Sequence, residues 1–327
     1  MEEKTNALCQ SFIENRDAVK KVFGLESVYV LPIAANELTA NGAKADLEKL
    51  KEAKKIIRKK AGVFSYLNGN VSTPFAANAS FRENPSEYVE KVLQFYHVIK
   101  KVFNRSEYTA LLAIMLADTV DESRLQSVIT RGKAIYDMMK EQHPFLTNDQ
   151  DSVLAGLLAL SEKSNTELMD DMEKCFDLLQ IKFSGKSSIH TVSHVLALTE
   201  GSAREKVEHL IDLYDELKEK GKKYGQYTEL ATLAAVSILD DDTAKLRDTI
   251  IEIDDFLSKQ KGYGLLGLDK KTRLMHATLL TADLYDTARN AQVTGTTSAV
   301  AMAAAQQVAV CAVITSAAAT SAASTNN

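Results

Sequence analysis

The sequence predicts an all-α protein built as an array of helical hairpins, an α-solenoid, and three observations carry that expectation. An aromatic or bulky apolar residue returns about every forty positions: Ile57, Tyr96, Tyr136, Phe176, Tyr214 and Phe256 are separated by 39, 40, 40, 38 and 42 residues. A second ladder, Phe64, Phe103, Phe145, Phe183, Tyr224 and Tyr263, runs beside it at steps of 39, 42, 38, 41 and 39. Repeats of this length are single supersecondary units that bury their apolar faces by stacking. Finally, no segment alternates polar and apolar residues for long, and there are only 4 prolines, so strands are not expected.

Three segments follow in order. Residues 1–24 hold an extra N-terminal helix, spanning 8–23, that caps the array. Residues 25–288 hold about six units, each read as a short helix followed by a longer one. The first unit is irregular because Pro32 falls inside its short helix, and 68–84 is an odd stretch for the second; terminal units must close the core and are commonly atypical. The short helices, at 111–117, 153–160, 192–198, 230–239 and 274–280, are apolar nearly all round and must be buried on most sides. The longer ones are amphipathic: in 203–220, Val207, Leu210, Ile211, Tyr214 and Leu217 fall on one face.

Cap chemistry supports this division. Ser164 with Glu167, Ser202 with Glu205 and Thr147 with Gln150 fit the capping box. Asn84-Pro85 gives an N-cap with proline at the first helical position. Gly62, Gly185, Gly225 and Gly264 are placed to close helices in a left-handed conformation. Residues 289–327 form the third segment, which carries no charged side chain from Asn290 onward and is rich in Ala, Ser, Thr and Val. It is read as a small-residue helix or tail covering the open end of the array or joining a second copy. Its apolar run is long enough to cross a bilayer. Gln306-Gln307 interrupts that run, however, so a membrane anchor is not expected.

Bulk properties narrow the function classes. A net charge of −5 gives no electrostatic reason to expect a nucleic-acid partner. The 3 cysteines, Cys9, Cys175 and Cys311, form no CxxC pair and read as reduced thiols of a cytoplasmic protein. The acidic start, Met1-Glu2-Glu3-Lys4, lacks the apolar core of a secretory signal.

Chemistry-bearing motifs are sparse. His190 and His194 sit four apart, so their rings share a helix face at the spacing of two metal ligands. Thr191 stands where a zincin would place its glutamate, and no third ligand is identifiable, so a locally hydrogen-bonded histidine pair is preferred and no metal is assigned. Gly262-Tyr263-Gly264-Leu265-Leu266-Gly267 matches a dinucleotide fingerprint in letters only, because it follows a helix rather than a strand. Asp240-Asp241-Asp242 reads as helix capping. The long helices end in lysines (Lys59-Lys60, Lys100-Lys101, Lys140, Lys220 with Lys222-Lys223, Lys259 with Lys261), while acidic residues such as Asp118, Asp121 and Glu122 lie at their starts. Stacking would make one edge basic and the other acidic, as the helix dipole favours; a basic edge could also dock an acidic protein segment.

The stretches Leu47-Glu48-Lys49-Leu50 through Gly62-Val63-Phe64, Ser193-His194-Val195-Leu196-Ala197-Leu198, and Ala303-Ala304-Ala305-Gln306-Gln307 together resemble domain-of-unknown-function family 4003 of Bacillus-like bacteria. The resemblance implies a cytoplasmic bacterial setting and assigns no activity, cofactor or catalytic residue. The expectation is therefore a non-enzymatic helical-repeat protein that binds or scaffolds a protein partner, without catalytic residues or cofactor. Two alternatives stand beside it: self-assembly through residues 290–327, and an enzyme with a central pocket should the hairpins close into an α/α toroid.

Overall fold

A computed structural model describes residues 2–24, 26, 29–62, 65–239, 242–264 and 267–289. Phe64, Asp240, Asp241, the Leu265-Leu266 step of the glycine-rich motif, Cys311 and the Ala-rich segment from Asn290 lie outside the described residues. The fold is all-α. In chain order the helices are α1 (Glu3–Phe23), α2 (Val30–Ala40), α3 (Leu47–Ala61), α4 (Ser72–Ser80), α5 (Pro85–Ile99), α6 (Glu107–Thr119) and α7 (Glu122–Gln142). They continue with α8 (Asp151–Leu158), α9 (Asn165–Leu179), α10 (Lys186–Leu196), α11 (Ala203–Glu219), α12 (Thr228–Ser237), α13 (Thr243–Ser258) and α14 (Lys270–Arg289). Among the described residues no strand forms, and Tyr263 and Leu268 make an isolated bridge.

The described residues fall into two compact bodies, 2–127 and 128–289. In the first, α1 packs on α2, α3 on α4 and α5 on α6, while α1, α3 and α5 also lie side by side and α2 lies against α4. In the second, α9 packs on α10, α11 on α12 and α13 on α14. There α9, α11 and α13 touch in sequence, as do α8, α10, α12 and α14. Each body thus has a layer of amphipathic helices and a second layer of mostly short, apolar ones, the 20-residue α14 being the exception.

The pairing corrects the expected phase of the repeat. An amphipathic helix packs mainly on the helix that follows it: α5 lies far more closely on α6 than on α4, and α13 on α14, here the longer of the two, than on α12. A short helix that is apolar all round can pack on either neighbour, so its sequence does not reveal the nearer one. In α6 every residue from Thr109 to Ala117 is buried, and α12 is buried from Leu230 to Ser237. Each fully buried leucine among them contributes about 2 kcal/mol relative to exposure.

The first ladder falls on the long helices, where Ile57, Tyr96, Phe176 and Tyr214 are buried and Tyr136 and Phe256 half-buried. Among the described residues the second breaks once. Phe103, Phe183, Tyr224 and Tyr263 are buried, but Phe145 is 98% exposed. Its place is taken by Thr147, buried with its hydroxyl donating to Met139 O at 3.0 Å. Thr147 is therefore no N-cap. The capping boxes at Ser164/Glu167 and Ser202/Glu205 form, another closes at Ser106/Thr109, and Asn84 caps α5 with Pro85 at its first turn. Gly62 ends α3 at φ 79°, whereas Gly185, at φ 100°, starts α10 rather than ending α9. Gly132 is needed for close approach: a Cβ there would sit 3.4 Å from Ala155 O and Gly156 Cα on α8.

Cations from long helices and connecting turns tie off the short helices' C-termini, whose last carbonyls lack helical partners. Lys91 Nζ donates to Ala117 O at 2.6 Å, and Arg131 reaches Ala159 O, Ser161 O and Lys163 O. Lys163 Nζ in turn donates to Ala197 O and Thr199 O while pairing with Asp171 at 2.9 Å. Buried Asp254 on α13 holds Lys222 and Arg273 at 2.7 Å each. No helix among the described residues is long and apolar enough to cross a membrane.

Candidate functional site

The turn between α7 and α8 builds the most unusual polar cluster. Lys140 Nζ ties it from one side, donating to Pro144 O and Thr147 O at 2.5 and 2.7 Å. Thr147 is pinned to Met139 from the other. The result places Asp151 as the first residue of α8 with only 1% of its surface exposed. Its Oδ2 accepts the Asn148 N–H at 2.8 Å. Its Oδ1 faces His190 Nδ1 at 3.7 Å and His194 Nδ1 at 3.4 Å on α10.

Both histidines are buried, with ring centroids 4.1 Å apart and ring planes at 67°. His190 Nε2 and His194 Nδ1 are buried without a hydrogen-bond partner. Burial, together with the neighbouring His194 and His143, pushes the His190 imidazole down to about 2, so this ring is neutral with a lone pair to offer. His143 stands edge-on to His190 at 5.1 Å, and its Nε2 is bound to Glu173 Oε1. The sequence placed His190 and His194 on one face, as found, but missed Asp151. Asp151 lies 39 residues before His190, close to the spacing of both ladders, and that periodicity was the available signal.

A second cluster lies in the first body. Glu37, Asn78 and Asp118 occupy α2, α4 and α6 at separations of 41 and 40 residues. Asn78 Nδ2 donates to Asp118 Oδ2 at 3.0 Å and to Glu37 Oε2 at 3.4 Å. Arg82 binds Asp118 Oδ1 at 2.6 Å, and the Tyr88 hydroxyl donates to Asp118 Oδ2 at 3.0 Å. Burial, then the charge of Asp118, pushes the Glu37 carboxyl up to about 7 against the opposing pull of Arg82 and Asn78. Burial also raises Asp118 despite Arg82. This is a carboxylate pair in which one member can exchange a proton near neutrality.

The connections leading from long helices to short ones carry the conspicuous surface features. Among the described residues the exposed large apolar side chains are Tyr66 (44%), Phe145 (98%), Ile181 (83%) and Tyr227 (64%), and all four lie in such connections. Lys186, Lys220, Lys223, Lys259 and Lys261 are exposed at the same ends of the helices. In the first body a groove of about 470 Å³ opens there, lined by Lys60, Tyr66, Tyr96, His97, Lys100 and Arg105 among others. Of the acidic run, Asp242 caps α13 by accepting Lys245 N–H at 3.0 Å. The turn holding Gly262 and Gly264 follows α13, as a helix-to-helix connection.

Comparison with known sequences yields a family and no activity. The family described as "Protein of unknown function (DUF4003)" matches residues 15–317. The uncharacterized protein YeaA of Bacillus subtilis (strain 168) is 25% identical over 269 residues, covering 80% of this chain and 80% of that one. No solved structure matches. Because the match spans both bodies and nearly all of the chain, this protein is a member of the DUF4003 family.

Proposed function

We propose that this is a non-enzymatic, cytoplasmic helical-repeat protein of the α-solenoid kind, whose basic edge binds an acidic, partly apolar segment of another protein. One observation carries the reading: the groove where Lys100 and Arg105 stand beside exposed Tyr66, flanked by His97 and by Lys60, which is ion-paired to Glu90. The chain as a whole is acidic, at −5, so a cationic groove stands out against its surroundings. Positive side chains with an exposed aromatic suit a peptide carrying carboxylates and one or two large apolar residues. Buried, reduced Cys9 and Cys175 support the cytoplasmic setting.

The test is fluorescence anisotropy with a labelled peptide of alternating Glu and Leu or Phe, against a Lys-based peptide of the same pattern. The acidic peptide should bind, weaken with added salt, and be lost in the double variant Lys100→Glu/Arg105→Glu. Equal binding of both peptides, or binding unchanged in the variant, would remove the basis of the proposal. A second reading, an enzyme using paired carboxylates, is supported by Glu37 and Asp118 meeting from different hairpins. It requires a turnover that both Glu37→Gln and Asp118→Asn abolish while the helical content stays unchanged.

A further inference from the structure

We propose that Asp151, His190 and His194 form a binding site for one divalent first-row transition-metal ion of the zinc type. The buried charge of Asp151 calls for a cation. Asp151 is 1% exposed, and among the described residues its ion-pair neighbours are the two histidines, with no lysine or arginine. An isolated buried carboxylate is costly, and one backbone N–H plus the positive end of a short helix compensates only part of its charge. A dication held between the carboxylate and two imidazoles supplies the missing positive charge.

The geometry agrees, because the cluster is not arranged as a hydrogen-bonded one. The Asp151 Oδ1 to Nδ1 separations, 3.4 Å to His194 and 3.7 Å to His190, are longer than an ordinary N–H···O bond. His194 Nδ1 makes no hydrogen bond there. Ligands at about 2.1 Å around a tetrahedral ion lie roughly 3.4 Å from one another. These two separations therefore fit the spacing between ligands of one ion better than a chain of hydrogen bonds. Candidate donor atoms of all three residues lie within 4.8 Å of one another.

Ligand chemistry narrows the ion. Two imidazoles and one carboxylate favour borderline ions such as Zn²⁺, Co²⁺, Ni²⁺ or Fe²⁺ over Mg²⁺ and Ca²⁺, which want oxygen alone. The Asn148 N–H on Oδ2 orients the carboxylate and leaves Oδ1 for the ion, as outer hydrogen bonds do in known sites. His143 is engaged by Glu173 and is not counted as a ligand. The three donors come from α8 and α10, so the ion would cross-link neighbouring short helices inside the second body.

The test uses the full chain, stripped with chelator and titrated with Co²⁺. One equivalent should bind and produce a visible ligand-field band, which Zn²⁺ displaces and Mg²⁺ and Ca²⁺ leave untouched. Asp151→Asn and His194→Gln, checked for unchanged helicity by circular dichroism, should weaken Co²⁺ binding by at least about 100-fold, the upper end of what losing an outer hydrogen bond does. X-ray absorption of the zinc-loaded wild type should show nitrogen and oxygen scatterers, including two imidazoles; this holds whether or not the variants fold. Absence of a band and of bound zinc in the wild type, sulfur scatterers, or binding unaltered in folded Asp151→Asn overturns the assignment.

Discussion

Replacing Glu37 by glutamine should change how stability depends on pH. Burial and the adjacent Asp118 raise this carboxyl from 4.5 to about 7 in the folded chain. Between those values the folded protein holds a proton that the unfolded chain has released, so folding stability falls as pH rises through the interval. The penalty is absent below 4.5 and fully present above 7. At about 1.36 kcal/mol per tenfold change in proton affinity, the whole gap is about 3 kcal/mol. Glu37 is only half-buried, and solvent screening reduces this to roughly 1–2 kcal/mol. The glutamine side chain would keep an oxygen to accept from Asn78 without the charge that Asp118 opposes. Urea unfolding of wild type and Glu37→Gln at pH 5 and pH 8.5 provides the assay, because the double difference cancels the titrating groups that do not interact with Glu37. Wild type should lose roughly 1–2 kcal/mol more than the variant on going to pH 8.5. Parallel pH profiles, or a variant less stable than wild type at pH 8.5, would refute the reasoning.

Three further outcomes rest on the same packing. Asp254→Ala leaves Lys222 without one partner and Arg273 facing an empty position, so urea unfolding should show a loss of about 3 kcal/mol or more; a loss below about 1 kcal/mol would mean that the two cations find other partners. Burial pushes the Cys9 and Cys175 thiols up to about 12, so in a Cys311→Ser background iodoacetamide at pH 8 should label neither until urea unfolds the chain; mass spectrometry counts the adducts, and native labelling contradicts the packing. Phe145→Ser and Ile181→Ser should each shift stability by under about 0.5 kcal/mol in urea unfolding, whereas Phe183→Ser should cost about 3–5 kcal/mol by the same measurement.

Much of the local structure was legible because helical signals are local. Asn84-Pro85, Ser164 with Glu167 and Ser202 with Glu205 satisfy orphaned amides a few residues away, and all three form. Thr147 failed as a cap because the turn before α8 uses its hydroxyl to reach back to Met139. That bond depends on how the chain returns after α7, which a four-residue pattern does not encode. Phe145 failed for the same reason: the ladder assigned it a buried seat, and the turn gave that seat to Thr147.

The candidate sites were half-legible. His190 and His194 share a face by helical spacing alone, but their third companion arrives from another helix. Asp151 and His190, and likewise Glu37, Asn78 and Asp118, are neighbours because residues about forty apart become adjacent when short helices lie side by side. The sequence by itself determined the helical character, the caps at Asn84, Ser164 and Ser202 and the forty-residue spacing, since each follows from backbone propensity and apolar spacing within a few turns. Only tertiary structure decided which short helix each long helix covers, and which polar side chains meet across the short-helix layer. A helix apolar on all sides carries no mark of its partner, so packing selects it.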